Sequence, residues 1–367
     1  MSGAVNKLER SENFDISSNL TMGIGGKVKS FIQINSVEEL EIAHNNILKL
    51  ESKYLVLGGG SNLVLSDNFY DGVVLFIKIK GIKEVCRKNG YAIIDVGAGE
   101  EWEDFVDFTL ENCFWGVENL TLIPGTVGAC PVQNVGAFGQ EVKHIIEHVE
   151  CYDTQTKELT IIQNSECGFS FRKSIFNSEQ KGRYIITSVR FKLALEPNAK
   201  LSRSELAKLK TFSGTPQELQ KEIRNTVRAY RTSGVNLPNN QNHGCSGTFF
   251  RTAVLDSYKD FFKVILCTGR NLGIRSAIMM ILFCIKYRSS EGFRIPSKRL
   301  IQACELSNTK VGALFLLPTN PAVVVSELEH SPNSEDLVKI IDIVRGKVLS
   351  KTGVSLPIEP ELIGFDM

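Results

Sequence analysis

A chain of 367 residues is too long for one ordinary hydrophobic core, so two or three domains are expected. With 43% hydrophobic and 23% charged residues and a net charge of +1, the composition is that of a soluble globular protein and gives no ground for nucleic acid or a membrane as partner. Nine cysteines without a C-x-x-C pair and five scattered histidines argue against a metal site; with no apolar leader, they point to reduced thiols in the cytoplasm.

Residues 28–34 alternate as a strand does. Ser36 then stands as an N-cap, with Glu38 and Glu39 in the first turn and Leu40, Ala43 and Ile47 at helical spacing. Residues 54–57 read as a short buried strand ending in Gly58-Gly59-Gly60-Ser61-Asn62, and residues 63–65 and 73–77 as two further strands separated by a turn at Asp71-Gly72. A second unit opens at Gly81 with a hairpin, 84–87 and 91–96, around Asn89-Gly90. A helix over 100–112 puts Trp102, Phe105, Val106 and Leu110 on one face, and strands are expected at 149–152, 159–162, 168–171 and 184–195. After Pro216 come a helix over 217–230 that aligns Leu219, Ile223 and Val227, a polar loop over 233–247, and a strand beginning at 248–250. A strand at 322–325, a helix over 333–349 and an extended tail over 354–365 complete the chain. The apolar run 277–285 is about half the length that spans a bilayer and reads as part of a buried helix. Mixed strand and helix signals of this kind describe an α+β protein.

Two glycine-rich stretches need a reason, because a glycine inside a helix or strand costs about 0.5–1 kcal/mol relative to alanine. The first, 58–62, follows a buried strand, where its backbone N–H groups can cradle a diphosphate. It leads into another strand and lacks G-x-G-x-x-G, which excludes a Rossmann loop. The second, IPGTVGACPVQNVGAFGQEV over 123–142, holds Gly125, Gly128, Gly136 and Gly139, with the amides of Gln133 and Asn134 between them. Tight turns would account for either stretch alone. Two such loops closing on one heteroaromatic dinucleotide suggest FAD, with the amides bonding the edge of the ring.

Further along, FRKSIF lies at 171–176, GCSGTFF at 244–250 and IEPE at 358–361; LTMGIGG at 20–26 precedes the first glycine loop. In this order the motifs run over nearly the whole chain and resemble the UDP-N-acetylenolpyruvylglucosamine reductases, flavoenzymes of bacterial cell-wall precursor synthesis. The resemblance implies a two-part FAD-binding domain of the vanillyl-alcohol-oxidase type (14–80 and 81–235), an α/β substrate-binding domain (236–352) and a C-terminal return to the active site (353–367). It also implies that NADPH reduces FAD, and that hydride then passes to the enolpyruvyl methylene carbon while a general acid protonates its neighbour. The matched catalytic positions are Arg172 and Glu361, which would steady the charge driven into the substrate carboxylate, and Thr248, the acid, where the family has serine. The matched flavin positions are Gly58, Gly59, Gly60, Ser61, Asn62, Ile123, Pro124, Gly125, Gly128, Ala129, Gln133, Asn134, Gly136 and Gly139.

The substrate pocket departs from the family pattern. Arg203 stands where a tyrosine is expected, Asn236 where a lysine precedes Leu-Pro, and Thr252, after Arg251, where an asparagine would touch substrate. Arg203 and Arg251 carry the charge a diphosphate needs. The partner expected is thus a small UDP-sugar or related enolpyruvyl compound, with no obligate protein partner. Two other functions share these residues: a flavin reductase for a different enolpyruvyl ether, and an FAD-binding protein without catalysis.

Overall fold

The structure, a computed structural model, describes residues 8–255, 257–286 and 292–365. The chain forms two compact units: residues 1–14, 28–59 and 70–230 make the first, and residues 15–27, 60–69 and 231–367 the second.

The first unit contains a four-stranded sheet in the order Glu9–Asp15, Lys27–Ile34, Tyr70–Ile77, Lys53–Leu57, the last three parallel. Its helix Val37–Lys49 starts where the sequence predicts: Ser36 Oγ accepts from Glu39 N at 3.2 Å, and Leu40, Ala43 and Ile47 are buried. A five-stranded antiparallel sheet follows, ordered Glu158–Gln163, Ile146–Asp153, Tyr184–Ala194, Tyr91–Gly97, Ile82–Lys88. Asn89 and Gly90, both at positive φ, turn the expected hairpin. The helix Trp102–Glu111 buries Trp102, Phe105, Val106 and Leu110 against this sheet, with the Phe105 and Phe191 rings 4.5 Å apart. Pro216–Arg231 packs Ile223 and Val227 on Trp115, Leu206 and Leu209, and Arg224 pairs with Glu103 at 3.0 Å and with Asp107.

Two expectations fail in this unit. Asp71-Gly72 is no turn but part of the strand Tyr70–Ile77: a Cβ at Gly72 would lie 2.4 Å from the Tyr70 ring and 2.9 Å from Lys53 O, so the glycine serves close strand packing. Residues 168–171 are irregular, because Gly168 and Arg172 at φ +59° and +56° break the extended path.

The second unit holds a four-stranded antiparallel sheet, His243–Cys245, Asn320–Glu327, Leu314–Leu317, Lys310–Val311, against the helices Ser297–Ala303 and Ser334–Thr352. The long helix buries Leu337, Ile340, Ile341, Val344 and Val348 and closes on Gly353 in the left-handed region. Leu63–Leu65 pairs in parallel with Glu361–Ile363. Here the expected polar loop 233–247 contains the strand His243–Cys245, and residues 248–250 form no strand beyond one bridge, Phe250 to Ile358. The apolar helix is Ile274–Lys286, preceded by a helix Tyr258–Leu272 that the sequence reading did not anticipate. Neither is buried all round. Ala277, Met280 and Cys284 face the core while Ile274, Ile278, Met279 and Leu282 are exposed, which corrects the buried-helix expectation. Among the described residues no helix is long and apolar enough to cross a membrane, and all nine cysteines are free.

Candidate active site

In the first unit the two glycine stretches touch backbone to backbone. A Cβ at Gly59 would lie 2.5 Å from Gly125 Cα and 3.3 Å from Thr126 N; one at Gly58 would lie 2.7 Å from Thr126 Oγ1 and 3.6 Å from Ala129 Cβ. Gly128 meets Ala98, whose carbonyl accepts from Gly128 N at 2.9 Å. At Gly136 the space is taken by Gln140 O and the Glu141 side chain, across the pairing of Gly136–Ala137 with Gln140–Glu141. Glycine is therefore required at 58, 59, 128 and 136 by the protein's own packing. Among the described residues the N–H groups of Gly58, Gly59 and Gly125 meet no protein acceptor. Unspent donors on two abutting, half-buried loops suit phosphate oxygens, so the residues present fit a dinucleotide.

Asn134 is spent differently from the sequence expectation. At φ +44° and 2% exposure, its Nδ2 donates to Glu141 Oε2 and to Ser170 O, both at 2.9 Å, and its Oδ1 accepts from Lys143 N at 3.2 Å. The side chain braces the loop, which leaves Gln133, Ile123, Pro124, Ala129 and Gly139 as the less enclosed members of the stretch. Beneath it lies a polar network that the sequence reading missed. Glu118 is fully buried, accepting from Gly116 N at 2.8 Å and Gln140 Nε2 at 2.6 Å, and burial holds its carboxyl above the usual range. Asn119 N donates to Gln140 Oε1 at 2.9 Å, and Asn119 Nδ2 reaches Phe138 O and Lys200 O at 2.8 Å each. Glu118 and Asn119, polar residues just before an apolar glycine-rich run, were the available signal.

Arg172 takes a left-handed backbone, φ +56°, at a cost of order 1 kcal/mol. The conformation is held from both ends: Asn177 Nδ2 donates to Arg172 O at 3.2 Å, and Arg172 Nη2 donates to Gly136 O at 3.1 Å. The guanidinium is thereby fixed to the second glycine stretch. Arg203, half-exposed, lies 3.6 Å from Glu205 in the same unit.

The second unit gathers another set of the predicted residues on one framework. Gly60, at φ +63°, packs against Asn19 O and its own carbonyl accepts from Thr21 N at 3.2 Å, tying the first glycine loop to the 20–26 segment. Asn62 O accepts from Glu361 N at 2.9 Å, where the parallel ladder of Leu63–Leu65 begins. Glu359 N donates to Phe249 O at 2.9 Å, and Arg251 N to Pro357 O at 2.8 Å. Phe249 and Phe250 are fully buried, rings edge to face at 5.2 Å, and both donate N–H to Ala322 O. Thr248 is exposed, between this buried anchor and Gly247, which has φ +74° and open space around it. Backbone contacts thus bring Asn62, the 248–251 segment and Glu361 together, with Ser61 and Thr252 adjoining them in the chain; Arg172 belongs to the first unit. Asn236 O accepts from Asn320 Nδ2 at 3.1 Å, while its own Nδ2 is buried with no partner among the described residues. A buried unpaired amide is costly, by about 1–3 kcal/mol, unless a ligand completes it.

A family model described as an FAD binding domain matches residues 28–161, which include both glycine stretches. The UDP-N-acetylenolpyruvoylglucosamine reductase of Neisseria gonorrhoeae is 33% identical over 352 residues, 94% of this chain and 95% of that protein. That of Flavobacterium johnsoniae is 39% identical over 255 residues, 68% and 72% of the two chains. Among solved structures, the UDP-N-acetylenolpyruvylglucosamine reductase of Thermus caldophilus superposes with a TM-score of 0.62 over 97% of this chain and 99% of that one, at 20% identity, so the whole fold is shared.

Proposed function

Since this chain belongs to the UDP-N-acetylenolpyruvoylglucosamine reductase family and carries its FAD-binding domain, we propose that it reduces the enolpyruvyl group of UDP-N-acetylglucosamine enolpyruvate to the lactyl ether of UDP-N-acetylmuramate, with NADPH as electron source, in cytoplasmic peptidoglycan precursor synthesis. The observation that carries the reading is 33% identity with one such reductase over 352 residues, 94% of this chain, beside two glycine stretches that abut in the first unit.

FAD, reduced by NADPH, supplies hydride to the methylene carbon when bound. The chain's own residues do the rest. The N–H donors of Gly58, Gly59 and Gly125 would take the diphosphate, with Ser61, Asn62, Ile123, Pro124, Ala129, Gln133 and the backbone around Asn134, Gly136 and Gly139 lining the cofactor. Arg172 and Glu361 bind the substrate carboxylate, a cation for its charge and an acid for the charge pushed into it as the double bond is reduced. The Thr248 hydroxyl gives its proton to the carbon bearing the ether oxygen and regains one from water; its position beside Gly247 leaves room for that approach. Arg203, Arg251 and Thr252 would meet the nucleotide diphosphate, and the Asn236 amide would find its missing acceptor there. In this reading segments 14–80 and 81–235 carry the cofactor, 236–352 the substrate and 353–367 the returning Glu361; residues 366–367 lie outside those described.

The test is product formation. NADPH oxidation should depend on the enolpyruvyl substrate and yield a product heavier by two hydrogens; steady NADPH oxidation without that product would refute the assignment. The replacements at 203, 236 and 252 favour one second reading, a reductase for another enolpyruvyl ether, which the same assay separates by the acceptor that is consumed.

A further inference from the structure

The two adjoining helices of the second unit, Tyr258–Leu272 and Ile274–Lys286, each leave an apolar stripe in solvent. On the first, Phe262 and Leu266 are one turn apart and 61% and 72% exposed. On the second, Ile274, Ile278, Leu282 and Ile285 recur at helical spacing over about 16 Å, with Ile274 77% and Ile285 63% exposed. The opposite faces are the ones that pack: Phe261, Val264 and Thr268 on one helix, Ala277, Met280 and Cys284 on the other, with Gly269 close against Ala277. Scattered single apolar residues on a surface are ordinary; two continuous stripes on neighbouring helices are not.

Charge identifies the occupant. Lys259, Lys263, Arg270 and Arg275 are all exposed, and at 100° per residue the first three fall along one side of the Phe262–Leu266 stripe, with Arg275 in the same relation to the Ile274–Ile278 stripe. Asp260, 3.4 Å from Lys263, is the sole acid between residues 257 and 285. An apolar stripe bordered by lysine and arginine is the pattern of a helix lying in the interface of an anionic bilayer: the apolar side chains enter the acyl boundary and the cations reach the headgroups. A second copy of this chain would set these four cations against four more, so self-association is the poorer match. We propose that this helix pair docks the protein reversibly on an anionic lipid surface.

The experiment is flotation of the full-length, flavin-loaded chain with vesicles of equimolar phosphatidylglycerol and phosphatidylcholine. The protein should float with them at low salt, remain behind with phosphatidylcholine alone, and be released at about 1 M salt, where the screening length is about 3 Å. Lys259→Ala/Lys263→Ala/Arg275→Ala should weaken partition about a hundredfold, about fivefold for each cation removed. Leu266→Glu/Ile278→Glu should abolish it while the visible flavin band and far-UV dichroism are retained, since both positions are exposed. No flotation of the parent protein at low salt overturns the proposal. So does flotation that survives the Leu266→Glu/Ile278→Glu change, which is adsorption by charge alone, or a concentration-dependent dimer that this change dissolves with no lipid binding in the parent.

Discussion

Gly59→Ala isolates the claim that the two glycine stretches are built to abut. Gly59 does not lie in the left-handed region, so alanine carries no backbone penalty there and by itself would stabilise the chain by roughly 0.4–1 kcal/mol. The new methyl would instead meet Gly125 Cα at 2.5 Å, whereas carbon atoms rest about 3.5–4.0 Å apart. Both neighbours are backbone, so no side chain can swing aside, and the loops must separate by roughly 1 Å. Overpacking of that kind costs about 1–3 kcal/mol. It would lower the melting temperature by about 2–10 °C for a unit of this size. The same displacement moves the N–H groups of Gly58, Gly59 and Gly125, so flavin affinity should fall with stability. Thermal melts followed by dichroism, with flavin content measured from the visible band, read both effects. A Gly59→Ala protein with full flavin occupancy and an unchanged melting temperature would refute the close approach.

Other expectations follow from single residues. Gly346 lies exposed within the helix Ser334–Thr352 with nothing near its missing Cβ, so Gly346→Ala should raise stability by about 0.5–1 kcal/mol, measured by chemical denaturation. Thr248→Ala should keep its flavin and lose about 10²–10⁴-fold in turnover, while Thr248→Ser keeps the hydroxyl and most of the rate; unchanged turnover in the alanine variant would remove residue 248 from the chemistry. Arg183 grips Asp153 through three contacts, Nη2 to Oδ2 at 2.7 Å and Nε to Oδ2 and Oδ1 at 3.1 and 3.2 Å, and this hydrogen bonding holds the carboxyl below the usual range. A depressed folded-state pKa stabilises above the unfolded value, about 3.9, and the gain is lost as pH falls through the folded value. Asp153→Asn should therefore melt below the parent at neutral pH, with the gap closing as the pH drops under about 4.

Elements with a strong local signature were legible in the sequence. Ser36 and its helix, the Asn89-Gly90 hairpin and the helix over Trp102 and Phe105 each depend on spacing or turn chemistry inside a short window, and each stands where it was expected. Two of the failures share a cause: the deciding partner was remote in sequence. Gly72 reads as a turn until Lys53, some twenty residues earlier, pairs with it and sets its carbonyl in the space beside it. The 277–285 run reads as buried because apolar residues circle it, and only its packing, with Ala277, Met280 and Cys284 inward, distinguishes core from surface. At the candidate site the motifs point to two glycine stretches that the structure brings into contact, but one side chain between them has other work. Asn134, placed by its motif beside a ring, spends its amide on Glu141 and Ser170, and of the supporting network only Glu118 and Asn119 give a local signal, since Gln140 lies some twenty residues away in sequence. Arg172 shows the converse. No pattern of residue types announces an arginine at φ +56°, yet that strain, held by Asn177 and Gly136, singles it out in the structure.

The most direct test of the central claim is reoxidation of the enzyme-bound flavin. The purified protein is reduced anaerobically with NADPH, UDP-N-acetylglucosamine enolpyruvate is added, and the visible flavin band is followed. Prompt return of the oxidised band is the predicted result, showing that a chain with Arg203, Asn236 and Thr252 at these positions accepts the family's substrate. A flavin that accepts electrons from NADPH but stays reduced after the substrate is added would contradict the assignment.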